Sequence, residues 1–201
     1  MQFDEIKAII KKECKENGIK FFHGRGPTVR HIDGLRVNGF FEDGTTMKDG
    51  ISKLAVASNP NSLEVLVHEY CHMQQYLEQT PEWQALHRGD EFWRWLNGQE
   101  GLEDEKIIDC AVAYYEIEVD CEKRAVEQHK LWKTDTNLTE YIQKANAYTL
   151  FYFYVLDTRK WYKAGREPYT LKEVWSKMPK SFTFDVGQCY NKHRQLFDLC
   201  V

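Results

Sequence analysis

Residues 65–73 read Val65-Leu66-Val67-His68-Glu69-Tyr70-Cys71-His72-Met73, with two histidines four residues apart and a glutamate directly after the first. On an α-helix this spacing turns both imidazoles toward the same side. Two such histidines can hold a zinc ion. We therefore predict that His68 and His72 are zinc ligands and that Glu69 is a general base, which takes a proton from a water molecule that the metal acidifies.

The residues around this stretch favour a helix backed by a hydrophobic core. Asn59 and Pro60 mark its expected start, because asparagine is a good N-cap and proline fits the first turn. No glycine or proline follows up to Gln79. Apart from Glu69, the positions between and around the histidines are uncharged (Val65, Leu66, Val67, Tyr70, Cys71 and Met73), which is typical of a helix with a buried face.

The chain before this helix predicts one further helix and a small sheet. Residues 2–17 have the apolar spacing of an amphipathic helix, which Gly18 ends. Strands are predicted at residues 19–22, 29–41 and 51–58 of a small antiparallel or mixed sheet, with turns at Gly34, Gly39, Gly44 and Gly50.

The chain after this helix is predicted to be mainly helical. The tryptophan-rich segment 80–99 is interpreted as a packing insertion, with a lid as the alternative. Helices are predicted at residues 102–130, 138–163, 171–178 and 188–199. The expected fold class is therefore α+β, with a small sheet over the motif helix and a helical C-terminal half.

Composition is that of a globular domain. The 201 residues are 42% hydrophobic and 14% aromatic, enough for a substantial core, so we predict a single domain over residues 1–201. The net charge of −4 argues against a dedicated nucleic-acid binder. No apolar run is long enough for a membrane span, and residues 1–17 do not resemble a signal peptide, so we expect a cytoplasmic protein. Six cysteines without a C-x-x-C pair are expected to be reduced thiols.

A catalytic zinc usually has three protein ligands, so a third must lie elsewhere in the chain. Glu78 follows His72 by six residues, which turns it about 240° away on a continuing helix. His87 follows His72 by 15 residues and loosely resembles the third histidine of SprT-type proteases, which digest proteins crosslinked to DNA. His87 is therefore one candidate.

The helix predicted near residues 103–130 contains the other candidates. Its apolar side chains, placed at about 100° per residue, centre close to the direction of Glu118. Glu118 and Glu122 are the acids on that apolar side, whereas Glu116 lies on a charged side. A buried carboxylate needs compensation, which a metal ion or a histidine N–H would supply, although a salt bridge is an alternative.

The motif, followed by Glu118-Val119-Asp120-Cys121-Glu122, resembles the gluzincin arrangement of H-E-x-x-H and a later E-x-x-A-[D/N]. This resemblance implies a zincin-like fold and a zinc-dependent peptidase acting on a peptide or protein. It implies that Glu118 is the third zinc ligand and that Glu122 orients a ligand histidine, although Glu122 departs from the family's Asp or Asn. In zinc peptidases the strand beside the active helix often pairs with an extended substrate, and residues 54–57 would be that strand.

The chain also resembles small metallopeptidase-like proteins of tailed bacteriophages. The similar segments are residues 37–41, 54–57, 68–75, 120–124 and 145–148. This resemblance implies a virus-encoded protein that acts in the cytoplasm of a bacterial host.

Three further points stay open at this stage. Zinc peptidases commonly use a tyrosine or histidine to hydrogen-bond the oxyanion, and Tyr148 or His193 are the candidates here. A SprT-like protease acting on DNA-bound proteins would use His87 at the metal. A non-catalytic binding protein stabilised by zinc is a third alternative, against which the intact Glu69 argues.

Overall fold

A computed structural model describes residues 1–32, 34–45, 47–86, 90–99 and 103–201. The chain divides into two compact units. The first unit comprises Met1–Gln79 and Arg124–Thr136, and the second comprises Thr80–Lys123 and Asn137–Val201. The α+β class is confirmed, because a small mixed sheet is followed by a chain that is mainly helical. The single domain stays a prediction.

In its described residues, the first unit contains two complete helices, five short strands and the last turns of a third helix. In chain order these are α1 (Phe3–Glu16), β1 (Lys20–His23), β2 (Val29–Arg30), β3 (Arg36–Val37), β4 (Gly39–Glu42), β5 (Lys53–Val56), α2 (Ser62–Glu78) and the end of α5 (Asp104–Leu131). Helix α1 forms as predicted, because its apolar residues Ile6, Ile10 and Cys14 recur every four positions and are buried. Gly18 follows with a positive φ of 69°.

Strand β5 is the centre of a three-stranded sheet in the order β1-β5-β4. It pairs in parallel with β1, with Lys20 opposite Lys53, and antiparallel with β4, with Gly39 opposite Val56. Both of its edges are therefore occupied within the sheet. The expectation that residues 54–57 pair with an extended substrate is wrong for this reason, since β5 has no edge left to offer. Strands β2 and β3 form a separate antiparallel ribbon.

Helix α2 carries the histidines and begins two residues later than predicted. Its N-cap is Asn61, and the Asn59 side chain accepts a hydrogen bond from the Asn61 N–H at 2.9 Å, so Asn59 belongs to the turn before the helix. The helix ends at Glu78, where Gln79 adopts a left-handed conformation. Glu78 forms an ion pair of 2.7 Å with Arg124 of α5.

The second unit is built from helices around an aromatic core. Its elements are α3 (Pro81–Ala85), α4 (Asp90–Leu96), residues 104–123 of α5, α6 (Leu138–Thr158), α7 (Lys172–Trp175), α8 (Val186–His193) and a 3₁₀ helix (Arg194–Leu199). Phe92 of α4 is fully buried in this core, which fits the prediction of a packing insertion at residues 80–99. Helix α6 ends five residues earlier than predicted, because Arg159 turns into a left-handed conformation.

Two predictions about the whole chain can be compared with these elements. All six cysteines are buried and none forms a disulfide, as expected for reduced thiols. Among the described helices, none combines the length and the apolar character that crossing a bilayer requires.

Candidate metal centre

His68 and His72 lie one turn apart on α2 and are brought together as the spacing predicts. Their ring centroids are 4.7 Å apart and the ring planes are nearly perpendicular, at 88°. Each ring offers a nitrogen that lies within 4.8 Å of one on the other ring. Both side chains are partly buried. Two imidazole nitrogens at this separation can bind the same metal ion.

His72 contacts Gln75, one turn further along the same helix. The Nδ1 atom of His72 lies 2.8 Å from Oε1 of Gln75. A carboxamide oxygen only accepts, so this hydrogen bond requires the proton of the neutral ring to be on Nδ1. The lone pair of the neutral ring is then on Nε2, where a metal ion can use it. The donor set of this helix face therefore fits zinc.

Sequence reasoning assigned no role to Gln75, although a signal for one was present. Gln75 follows His72 by three residues, which places both on adjacent positions of one helix face. It is a polar residue with no exposed surface. A buried polar side chain on the helix face that carries two candidate ligands is itself a candidate for orienting one of them.

Glu69 lies where α2 approaches strand β4, and 8% of its surface is exposed. Strand β4 approaches it very closely at Gly39. A Cβ atom on Gly39 would lie 2.5 Å from Cγ1 of Val65, 3.0 Å from the carbonyl oxygen of Ala55 and 3.1 Å from Cγ of Glu69. The prediction of a turn at Gly39 is wrong, because Gly39 is the first residue of β4 and its missing side chain leaves room for α2.

The opposite side of α2 is held by α1. Glu13 accepts a hydrogen bond from the Tyr70 hydroxyl at 2.9 Å and a second, short one from the Gln74 amide. Burial, followed by the adjacent Glu13 carboxylate, raises the pKa of Tyr70, so its hydroxyl stays a donor. Gly39 on one side and Glu13 on the other thus fix the rotation of the helix that carries the histidines.

The two acids predicted on the apolar side of α5 are buried, in the second unit. Glu118 and Glu122 expose 8% and 7% of their surfaces, whereas Glu116 is exposed. Glu122 accepts a hydrogen bond of 2.5 Å from the Tyr141 hydroxyl of α6. The prediction that Glu118 points into the core is therefore confirmed, while its role as a zinc ligand stays a prediction.

Tyrosine hydroxyls of α6 lie near Glu118 within the second unit. Burial raises the pKa of both Tyr148 and Tyr152 well above the ordinary value, and the negative Glu118 raises it further. Their hydroxyl oxygens are 3.0 Å apart. Tyr148 therefore remains protonated and able to donate a hydrogen bond, as an oxyanion donor would have to be.

Two candidates remain, His193 for the oxyanion and His87 for the metal. His193 is the last residue of α8, and burial, followed by the positive charge of Lys192, lowers its pKa. The prediction for His87 falls outside the described residues. Comparison of the chain with protein-family models, with curated proteins and with solved structures gives no match.

Proposed function

We propose that the chain is a zinc-dependent peptidase with a zincin-like fold, and that His68 and His72 hold the metal. The observation that carries this proposal is the arrangement on α2. Two imidazoles lie one turn apart with nearly perpendicular rings, and the hydrogen bond from Nδ1 of His72 to Gln75 leaves the Nε2 lone pair of His72 available. A glutamate follows the first histidine, which is the feature that a purely structural zinc site does not need.

Glu118 is our proposed third ligand, on the strength of the gluzincin resemblance and of its burial on α5. A buried carboxylate is costly unless a cation or hydrogen-bond donors compensate its charge. Zinc would supply that compensation, and when bound it would polarise the scissile carbonyl group and acidify a water molecule. Glu122 would support the site from the same helix face, one turn away, where Tyr141 holds it.

Glu69 is the proposed general base. Its carboxylate is largely shielded from solvent, and the contact at Gly39 limits the positions its side chain can take. In this role Glu69 accepts a proton from the attacking water and later delivers it to the leaving amine. Tyr148 is a candidate for hydrogen-bonding the oxyanion, because its raised pKa keeps the hydroxyl protonated.

Metal analysis and peptide cleavage test the proposal together. Purified protein is expected to contain about one zinc per chain, and His68→Ala or His72→Ala is expected to abolish this binding. Glu69→Gln is expected to keep the metal and to lower cleavage by about 10²- to 10⁴-fold. Zinc-loaded wild type and Glu69→Gln are screened against a diverse peptide library by mass spectrometry, with Glu16→Gln on the exposed side of α1 as the control.

The possible results separate the alternatives. Zinc-dependent cuts that are present in the wild type and in Glu16→Gln but missing from Glu69→Gln support the peptidase. Equal cleavage by all three proteins argues against Glu69 as the base. Absence of zinc in the wild type contradicts the proposal. Stoichiometric zinc without any cleavage favours the binding protein, and loss of zinc in His87→Ala favours the SprT-like protease.

A further inference from the structure

We propose that Gln75 is a positioning residue for the metal site, which sets the tautomer of His72 with a neutral acceptor. The inference rests on the proposed function for its metal, but its first step concerns the protein alone. A neutral imidazole carries one proton, and the hydrogen bond made by one ring nitrogen decides where that proton lies. The 2.8 Å contact between Nδ1 of His72 and Oε1 of Gln75 assigns the proton to Nδ1.

The position of Gln75 on α2 suits this task. At about 100° per residue it lies roughly 20° from the direction of His68 and 60° from that of His72. The three side chains therefore share one stripe of the helix. Gln74, the preceding residue in the chain, points to the other side and donates to Glu13 of α1. Two adjacent glutamines on one helix thus have separate roles.

Burial explains why the amide of Gln75 is held in place. The side chain has no exposed surface. Burying an amide is unfavourable unless its polar atoms are hydrogen-bonded, so the contact with His72 is part of what stabilises Gln75 at this position. The rotation of the helix itself is fixed by Glu13 and by the contact at Gly39. The acceptor is therefore presented to His72 in one orientation.

The chemical identity of the acceptor has a consequence for metal binding. Histidine ligands commonly donate their second N–H to a carboxylate, which adds negative charge and raises the basicity of the ring. Gln75 orients His72 in the same way but adds no charge. Replacing it with glutamate should therefore keep the tautomer and strengthen the binding of a divalent cation. Replacing Gln75 with an apolar residue should remove the orientation of His72 and weaken the binding of the divalent cation.

The experiment uses three variants of the full chain. Gln75→Met keeps the volume of the buried side chain and removes the acceptor. Gln75→Glu keeps an acceptor. Gln188→Met makes the same chemical change at an exposed position of α8 and serves as the matched control. The tautomer of His72 is measured in metal-free protein by long-range proton–nitrogen NMR correlation, above the ordinary imidazole pKa of about 6.5. Zinc affinity is measured by competition with a chromophoric chelator.

We expect effects only from changes at position 75, and we expect them at the Nδ1 proton of His72. Wild type and Gln75→Glu should show the proton on Nδ1, and Gln75→Met should show a mixture of tautomers. Gln75→Met should bind zinc about 10- to 100-fold more weakly than the wild type, while Gln188→Met stays near it. A wild-type proton on Nε2, or equal affinities of Gln75→Met and wild type, would overturn the proposal.

Failure of this inference can be distinguished from failure of the proposed function. If the wild type binds no zinc, the peptidase proposal fails, and the tautomer measured in the metal-free protein still decides the role of Gln75. If Gln75→Met does not fold, the wild type and Gln75→Glu decide, because a carboxylate at position 75 must preserve the proton on Nδ1. Loss of that tautomer in Gln75→Glu contradicts the inference.

Discussion

The substitution Gly39→Ala tests how closely β4 must approach the helix that carries the histidines. The added Cβ would lie 2.5 Å from Cγ1 of Val65, where ordinary van der Waals contact begins at 3.4 Å. The strand and the helix must therefore separate by about 1 Å at this point, since packed interiors leave little free space. Glu69 is the next side chain on the helix that must move, because its Cγ lies 3.1 Å from the same position.

The expected cost follows from two opposing effects. Overpacking of a filled site costs about 1–3 kcal/mol. Replacing glycine with alanine also lowers the conformational entropy of the unfolded chain. This effect stabilises the folded protein by about 0.4–1 kcal/mol where the backbone is compatible. The φ of Gly39 is not in the left-handed region, so this gain applies. We expect Gly39→Ala to lower the free energy of unfolding by about 1–2 kcal/mol.

A double-mutant cycle shows whether the contact with Val65 is the cause. Val65→Ala removes Cγ1 and leaves the carbonyl of Ala55 and Cγ of Glu69 as the nearest atoms. In this background Gly39→Ala should cost about 1 kcal/mol less, which is a coupling within the usual range for residues in contact. Unfolding by urea is followed by circular dichroism. Gly26→Ala is the control, because its nearest atom would be 3.8 Å away. Equal costs of Gly39→Ala in both backgrounds would refute the reasoning.

Two further predictions concern the buried acids and thiols. Glu118→Gln should lower zinc affinity sharply in a chelator competition, whereas the exposed Glu116→Gln should leave it near that of the wild type, and equal affinities would remove Glu118 from the proposed ligands. Burial raises the pKa of the Cys14 thiol from 9.0 to about 12, so the folded protein holds this proton more tightly than the unfolded chain does. The resulting stability is fully present below pH 9 and is lost as the pH rises toward about 12. Urea unfolding over this pH range should therefore show a steeper loss for the wild type than for Cys14→Ala, and equal slopes would contradict the raised pKa.

The helices could be predicted because their signals are local. Ile6, Ile10 and Cys14 mark the buried face of α1 within its own sequence, and summing the apolar positions of α5 placed Glu118 on the buried side. The arrangement of the strands could not be predicted in the same way. The parallel pairing of β1 with β5 joins residues more than 30 positions apart, and no local pattern encodes a partner at that distance.

The sequence alone did not distinguish glycines that lie in turns from a glycine that lies at a close approach of backbone and helix. Gly34 and Gly50 have positive φ values and lie in turns, as predicted. Gly39 has no such conformation and is instead a site of close approach, a distinction that depends on the neighbouring helix and not on the local sequence. Arg159 shows the converse case, because it ends α6 in a left-handed conformation without being a glycine.

The same difference between local and distant information applies to the site. His68, Glu69 and His72 come together because one helix carries all three, so their spacing was sufficient to predict that they lie close to one another. Gln75 belongs to the same local pattern and was recognisable in principle. A third ligand must come from a distant part of the chain, and for that ligand the sequence supplies a resemblance and a buried face, which is why Glu118 remains a proposal.

Glu13 makes α1 important for the position of α2, and the sequence of α1 alone does not indicate this role. A single carboxylate there receives hydrogen bonds from two residues of α2 that lie 57 and 61 positions further along the chain. Substitution of Glu13 is therefore expected to disturb the two histidines, although Glu13 lies outside the histidine motif. Variant libraries of the proposed metal site are best designed with Glu13 held constant, so that a change in zinc binding reports on the altered residues and not on a rotated helix.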